Sequence, residues 1–356
     1  MDYLESITNI CRFFRDGAMC IIGLPQSIKM AQQASYFPEK KRKSTLRRIW
    51  DNVCWLWKYK EVNGYYNLYG FDLVECPTFN EYQDYYHFAV SRDKGNLVKK
   101  PDSQIVLLRD KYLFYVFMKA NKLPVPEVFA YIKDGDLYDN EMNSISWDFL
   151  KNEKDFFIKD YTGECASFVK RINDYSELQN ERQNIEKGSY ILQRTVKQSE
   201  EMNCLNPFAV NTLRIVTAKG KDGIPCVLSA LLRVGTSETA PVDNWAKGGI
   251  AVGINENGFL RDYGYKKPHY AEMGGGRVSV HPDSKIVFSE FQIPMYQQAK
   301  EMAIEAHKAF YNIQTIGWDI AITEAGPVFV EGNDNWEISL MQACNKALRK
   351  EWREIQ

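Results

Sequence analysis

The chain has 356 residues, 45 Lys+Arg against 46 Asp+Glu and a formal net charge of −1. That length holds about two domains or one large composite one, and the balanced charge excludes nucleic-acid binding by bulk electrostatics. No apolar run approaches the roughly 20 residues that span a bilayer, and the scattered cysteines form no CxxC pair, so neither a zinc ribbon nor a disulfide framework is indicated and a reduced, cytoplasmic setting is expected.

Residues 1–100 read as an N-terminal region with helices. It opens with acids at Asp2 and Glu5, and its apolar stretch Ala18–Leu24 is too short for a signal peptide. Within Tyr36–Lys60, the basic residues Lys40, Lys41, Arg42, Lys43, Arg47 and Arg48 precede Trp50, Trp55, Trp57 and Tyr59. Such a helix either packs its aromatics inward beneath a solvated face or touches a membrane surface or an anionic glycan. A helix is expected over Asp110–Asn121, with Leu113, Val116, Phe117 and Ala120 on its apolar face. Leu123-Pro-Val-Pro126 stops it, because proline lacks the donor and restricts the residue before it.

Short strands are expected at Phe156–Lys159 and Tyr190–Gln193. A hairpin follows, Thr212–Ala218 with Cys226–Val234, and then a helix over Tyr296–Tyr311. Ile316–Thr323 and Val328–Glu331 form the last hairpin around Glu324-Ala-Gly326. The pattern is α+β, with mainly antiparallel hairpins in the C-terminal half. The histidines show no metal spacing, and His307, on a helix among Ala303 and Phe310, reads as structural.

The last hairpin carries the strongest chemical signal. With a three-residue loop, Thr323 faces Pro327, Ile322 faces Val328 and Asp319 faces Glu331. Opposed residues have Cβ atoms about 4.5–5.5 Å apart, so the two carboxylates repel unless a divalent cation joins them. Asn333 lies two residues beyond Glu331 and shares its face. Two carboxylates and an amide oxygen are a hard oxygen set suited to Mg2+. A loop of two or four residues breaks that pairing, and the acids are then solvated groups on an edge hairpin.

Upstream, Lys159 ends an apolar strand and precedes the small-residue loop Asp160-Tyr-Thr-Gly-Glu-Cys-Ala-Ser167, whose backbone N–H groups suit phosphate. The alternative is a surface turn with a snorkelling lysine. Tyr190-Ile-Leu-Gln-Arg-Thr-Val196 turns polar at Gln193 and offers backbone hydrogen bonds to a nucleobase. Arg214 stands mid-strand, where a charge is costly unless paired, and Arg233 follows the apolar run Val227–Leu232. They serve either an anion or two structural ion pairs.

Taken in order, these features resemble the ATP-grasp superfamily, in its sugar-transfer-associated branch, from about Arg109 to Gln342. Arg109-Asp-Lys111 and Leu123-Pro-Val-Pro126 look like the family's lysine helix and following turn. Lys159 with Gly163 looks like the second ATP lysine and its lid, and Gln193, Arg194 and Val196 like the adenine hinge. Val210-Asn-Thr-Leu-Arg-Ile-Val-Thr217 and Asp243-Asn-Trp-Ala-Lys-Gly-Gly249 look like branch signatures. Gly317-Trp-Asp319 and Val330-Glu-Gly-Asn333 match its metal ligands.

The resemblance implies an ATP-grasp fold of two α+β subdomains, with antiparallel sheets gripping ATP, beyond a helical N-terminal region. The expected boundaries are 1–100 and 101–350, the latter split into a small lid subdomain (about 125–195) and a catalytic one (about 196–350). It implies ATP held by Lys111 and Lys159, and Mg2+ held by Asp319, Glu331 and Asn333. The implied activity is a ligase that makes an acylphosphate from a small-molecule or glycan carboxylate and gives it to an amine, in polysaccharide or glycan modification. The alternatives are a kinase phosphorylating a hydroxyl and a non-catalytic nucleotide-binding module. One departure bears on the choice. Many such ligases carry an arginine where this chain has Gly317; Arg214 or Arg233 could supply that charge, and a chain in which neither does would not activate a carboxylate.

Overall fold

The computed structural model describes residues 2–100, 103–162, 168–241, 243–268 and 276–356, with side chains from residue 16 onward. Gly163, expected in the lid loop, therefore lies outside the described residues. The elements are α1 (Asp2–Gln32), α2 (Thr45–Tyr59), α3 (Tyr85–Gly95), α4 (Val106–Arg109), α5 (Lys111–Ala120), β1 (Val128–Lys133), β2 (Asp136–Asp139), β3 (Ser144–Ile145), β4 (Phe156–Asp160), β5 (Val169–Ile172), α6 (Tyr175–Ile185), β6 (Ser189–Arg194), α7 (Glu200–Leu205), β7 (Thr212–Lys219), β8 (Pro225–Val234), β9 (Ile250–Ile254), β10 (Leu260–Tyr265), β11 (Arg277–Val278), α8 (Tyr296–Ala309), β12 (Thr315–Thr323), β13 (Gly326–Asn333), α9 (Ile338–Cys344) and α10 (Arg349–Ile355).

The chain forms two units. One comprises Met1–Arg92, Leu231–Gln292 and Glu337–Gln356; the other comprises Asp93–Ala230 and Ile293–Trp336.

The second unit holds the chemistry. Its six-stranded sheet runs β3-β2-β1-β6-β4-β5, with antiparallel neighbours. Ala130, Ile132, Phe156, Ile158 and Leu192 alternate onto one face and bury against Leu178 and Ile185 of α6. This is the period-two pattern of a strand meeting the apolar stripe of a helix. The other strand run of this unit is β8-β7-β12-β13. There α8 buries Ala299, Ala303 and Ala306 at helical spacing against β7, β12 and β13, and Phe310 meets Trp318 with ring centroids 5.7 Å apart.

The first unit packs α2 over an aromatic cluster of Trp55, Tyr59, Tyr66, Tyr69, Phe71 and Tyr82. Its strands run β11-β10-β9, and β9 pairs the end of β8 from Leu231↔Gly253 to Val234↔Ile250.

Two expectations need correction. The hairpin loop has two residues, not three, because Thr323 pairs Gly326 and Ile322 pairs Pro327. A β-bulge then offsets the register between Ile320↔Phe329 and Asp319↔Glu331. Val330 is the extra residue, so the two carboxylates still oppose each other. The face of α5 is also different. Phe114, Tyr115 and Met118 are buried, while Val116 is 43 % exposed and Ala120 is exposed. Residues 113–118 are all apolar, so spacing does not select a face. Packing does: Tyr115 joins Val128, Tyr131 and Ile191, and Phe114 lies over Gly332.

Candidate active site

The site is built on three adjacent strands of the second unit. Asp319 on β12 is paired in register with Arg214 on β7 and with Glu331 on β13. One row across the sheet therefore reads cation, anion, anion. Arg214 closes a fork on Asp319, with Nε donating to Oδ1 at 2.5 Å and Nη2 to Oδ2 at 2.9 Å. Asp319 is buried and Arg214 half-buried, 3 % and 14 % exposed, so the fork neutralises a charge that could not stand alone there. Asn333 donates from Nδ2 to the Gly317 carbonyl at 3.3 Å and to Asp319 Oδ2 at 3.4 Å. It therefore reaches the same carboxylate.

Glu331 is held well above the usual carboxylate range. Burial is the main cause and the charge of Asp319 adds to it, while Lys111, Lys159 and Arg214 oppose the rise. Lys159 is pushed the other way, down to about 8, chiefly by burial and also by Lys111, with Glu331 opposing. Two lysines, one arginine and two carboxylates from β4, α5, β7, β12 and β13 thus act on one another. Lys159 donates to Gln193 Oε1 at 2.7 Å, which ties it to strand β6.

Lys111 is placed by two devices. Asp110 caps α5, accepting from Tyr112 N and Leu113 N at 2.9 Å each, and the Lys111 N–H donates to the Tyr161 carbonyl at 2.9 Å. Arg109 forks onto buried Asp334, Nε to Oδ1 at 3.0 Å and Nη2 to Oδ2 at 2.7 Å. That fork fixes the start of α5 beside the end of β13. Gly332 permits the approach: a Cβ there would stand 2.8 Å from Leu108 Cδ2. The Arg109–Asp334 clamp escapes a reading of the sequence. Its trace is an aspartate directly after the E-x-N run, and nothing in the spacing names Arg109 as its partner.

Other expected residues lie elsewhere. Arg194 forks between Glu153 and Glu127 and covers the Phe129 ring at 4.1 Å from its centroid, so its side chain is engaged at the edge of the sheet. Val196 is half-buried in the segment after β6. Arg233 belongs to the first unit, where it pairs with Asp243 at 3.1 Å. His307 is buried and donates to the Ile313 carbonyl at 3.0 Å, and burial pushes it down to about 3, so it stays neutral.

The position of Gly317 has a steric reason. A Cβ there would stand 2.7 Å from Trp336 Cβ and 3.5 Å from Arg214 Cδ. Trp336 is fully buried and donates from Nε1 to Thr315 Oγ1 at 3.1 Å. It occupies the space an arginine at 317 would need.

The donor set fits a hard cation. Among the described residues no group of three or more His, Cys, Asp and Glu side chains is placed to hold a metal; here there are two carboxylates and an amide. Mg2+ is commonly held by one or two carboxylates, with phosphate oxygens and water completing the shell. Burial does most to suppress the ionisation of Glu331, and the part that Asp319 adds is the repulsion such a cation would relieve.

The description "sugar-transfer associated ATP-grasp" matches residues 96–356. No curated protein matches the chain. Similar solved structures include an N5-carboxyaminoimidazole ribonucleotide synthetase from Thermotoga maritima, at 14 % identity and a TM-score of 0.38, covering 68 % of this chain and 48 % of that one. An L-amino acid ligase from Bacillus licheniformis has 12 % identity and a TM-score of 0.39, covering 70 % and 51 %. The VanG D-Ala:D-Ser ligase from Enterococcus faecalis has 11 % identity and a TM-score of 0.43, covering 69 % and 60 %. The chain thus spans about half the length of these structures. The row on β7, β12 and β13, the lysines of α5 and β4, and the family match over residues 96–356 lead to one conclusion: the chain belongs to the sugar-transfer associated ATP-grasp family and has its α+β ATP-grasp fold.

Proposed function

We propose that this chain is an ATP-dependent ligase that activates a carboxylate as an acylphosphate and couples it to an amine. The observation that carries the reading is the row Arg214, Asp319 and Glu331, with Lys111 and Lys159 bearing on Glu331. Lys111 and Lys159 would hold the phosphates of ATP, and Gln193, Arg194 and Val196 would line the adenine hinge through their backbone. Gly163 is assigned with Lys111 and Lys159 to phosphate binding on the family resemblance. Asp319, Glu331 and Asn333 would hold Mg2+. Bound there, Mg2+ would neutralise charge on the phosphate oxygens.

The substrate carboxylate oxygen attacks the γ-phosphorus, the β–γ P–O bond breaks and ADP leaves. The amine nitrogen then adds to the acyl carbon, the C–O bond to phosphate breaks, and an amine proton passes to solvent. Positioning and charge neutralisation do most of the work. Arg214 would stand beside the acylphosphate once Asp319 shares its charge with the cation. The family's description points to a glycan or its precursor as one partner, and ATP chemistry to a cytoplasmic setting. Among the described residues, no helix is long and apolar enough to cross a membrane.

One observation favours a second reading, a kinase that stops at phosphoryl transfer to a hydroxyl. Gly317 lacks the arginine of many carboxylate–amine ligases, and Trp336 fills its place. Product analysis separates the two. A ligase releases ADP and free phosphate only with carboxylate and amine together, and hydroxylamine traps the acylphosphate as a hydroxamate. A kinase gives ADP and a stable phosphoester. No ADP release with any carboxylate or hydroxyl, and no binding of Mg2+–ADP, would sink both.

A further inference from the structure

The first unit carries a surface that the catalytic reading does not use. Helix α2 buries Arg48, Asp51, Asn52, Trp55, Leu56 and Tyr59. Its outer side presents Leu46, Trp50 and Trp57, which are 81 %, 60 % and 70 % exposed. At 100° per residue these three fall within an arc of about 40°, and they span about 16 Å along the axis. Half-buried Val53 lies about 20° beyond the Leu46 edge of that arc. Single exposed apolar residues are ordinary, but two tryptophans and a leucine in one stripe make a patch that something covers.

The borders of the stripe say what. Arg47 and Lys58 flank one edge, and Lys60 lies at the other, its Nζ 4.8 Å from the Trp57 ring centroid. Between residues 40 and 60 the chain carries eight basic residues and a single acid, Asp51. Asp51 is buried and taken up by Lys43 and Arg47 at 2.7 and 3.1 Å. The whole chain is balanced at −1, so this excess is local. A second copy docked on the stripe would set arginine and lysine against their own kind. An anionic lipid surface meets both features at once. Tryptophan rings sit at the headgroup level, and flanking cations reach the lipid phosphates.

We propose that α2 docks on an anionic lipid surface, with Leu46, Trp50 and Trp57 at the boundary of headgroups and acyl chains and Arg47, Lys58 and Lys60 on the phosphates. The proposal is independent of the chemistry assigned to the second unit. It is tested with the full chain and sedimentable vesicles of phosphatidylcholine, alone or with one part in three of phosphatidylglycerol. The wild type should bind the anionic vesicles about tenfold or more tightly than the neutral ones, and lose that preference in high salt. Trp50→Ser/Trp57→Ser and, separately, Arg47→Glu/Lys58→Glu should each weaken binding about tenfold or more. In the wild type, brominated lipids should quench part of the tryptophan fluorescence, a readout that requires no variant. The proposal is overturned if the wild type does not bind anionic vesicles, if both double variants bind like it, or if the tryptophan stripe proves instead to hold a dimer that Trp50→Ser/Trp57→Ser dissociates.

Discussion

Replacing Glu331 by glutamine separates stability from ATP handling and moves them in opposite directions. Glu331 faces Asp319 across the strand pair, and burial and that neighbour hold its pKa above the ordinary value. The sign follows from linkage. A carboxyl whose folded pKa is raised destabilises the fold once pH exceeds that pKa, and the penalty disappears as pH falls to the unfolded value. Glutamine keeps the volume and removes the charge. Like charges directly opposed on strands cost about 0.2–1 kcal/mol, so the ligand-free variant should melt about 1–3 °C above wild type at pH 7. Near pH 4 the difference should close. With Mg2+ and a non-hydrolysable ATP analogue at about 100 times Kd, wild type should gain about 2.7 kcal/mol, and the variant little of it. Turnover should fall by about two orders of magnitude or more. Scanning calorimetry with and without Mg2+ and the analogue, beside an ADP-release assay, reads all three. A variant that melts below wild type without ligand, yet keeps the full ligand shift and full turnover, refutes the assignment.

Lys159 gives a second test. With a pKa of about 8, it is roughly ten to one protonated at pH 7 and one to ten at pH 9, so ATP-analogue affinity should fall over that interval in wild type and stay flat in Lys159→Met, as titration calorimetry would show. For the ligand-free fold the sign is reversed: the unfolded chain binds more protons between about pH 8 and 10, so the Lys159 contribution to stability rises with pH there, and the same pair of proteins compared by denaturant unfolding should show it. Arg109→Ala leaves Asp334 buried without its fork and should cost about 2 kcal/mol of stability, with weaker ATP-analogue binding because α5 loses its anchor to β13. Arg214→Ala should lower turnover about 100-fold, and an unchanged rate would remove Arg214 from the chemistry.

How much of this was legible depends on which physical rule fixes each residue. Strands β4, β6, β7, β12 and the helix α8 follow from apolar alternation and helical spacing. Glu331 and Asn333 could be placed on one face by parity alone, and Asp319 joined them only through the register. The register was legible only in its outcome: the pairing assumes a three-residue loop, and the chain uses two plus a bulge at Val330. A bulge is an exchange between backbone hydrogen bonding and side-chain placement, and it has no residue signature here, since valine is an ordinary strand residue. The face of α5 was not legible because an all-apolar hexapeptide has no periodicity to read. Arg233 and Arg214 look alike in sequence, as each is a cation at the end of or within an apolar strand. Only tertiary structure separates them, giving one Asp319 and the other Asp243.

The same logic explains the departure at Gly317. An arginine at that position and a tryptophan at 336 are mutually exclusive, because any Cβ at 317 already stands 2.7 Å from Trp336 Cβ. The glycine is therefore a packing solution, and it leaves the stem of Arg214 room to lie 3.5 Å from the same point. The cation next to Asp319 is thus supplied from β7 instead of from β12 itself. Gly317→Arg should then restore nothing. It forces Trp336 or β12 to move, which should destabilise the fold by about 1–3 kcal/mol and lower the melting temperature by several degrees, with turnover no higher than wild type. The paired change Gly317→Arg/Trp336→Ala makes the space and distinguishes the cases. If a second guanidinium beside Asp319 raises carboxylate-dependent ADP release over wild type, the charge supplied by Arg214 is insufficient for acyl transfer, and the kinase reading gains; if it does not, Arg214 already fills the role and the ligase reading stands.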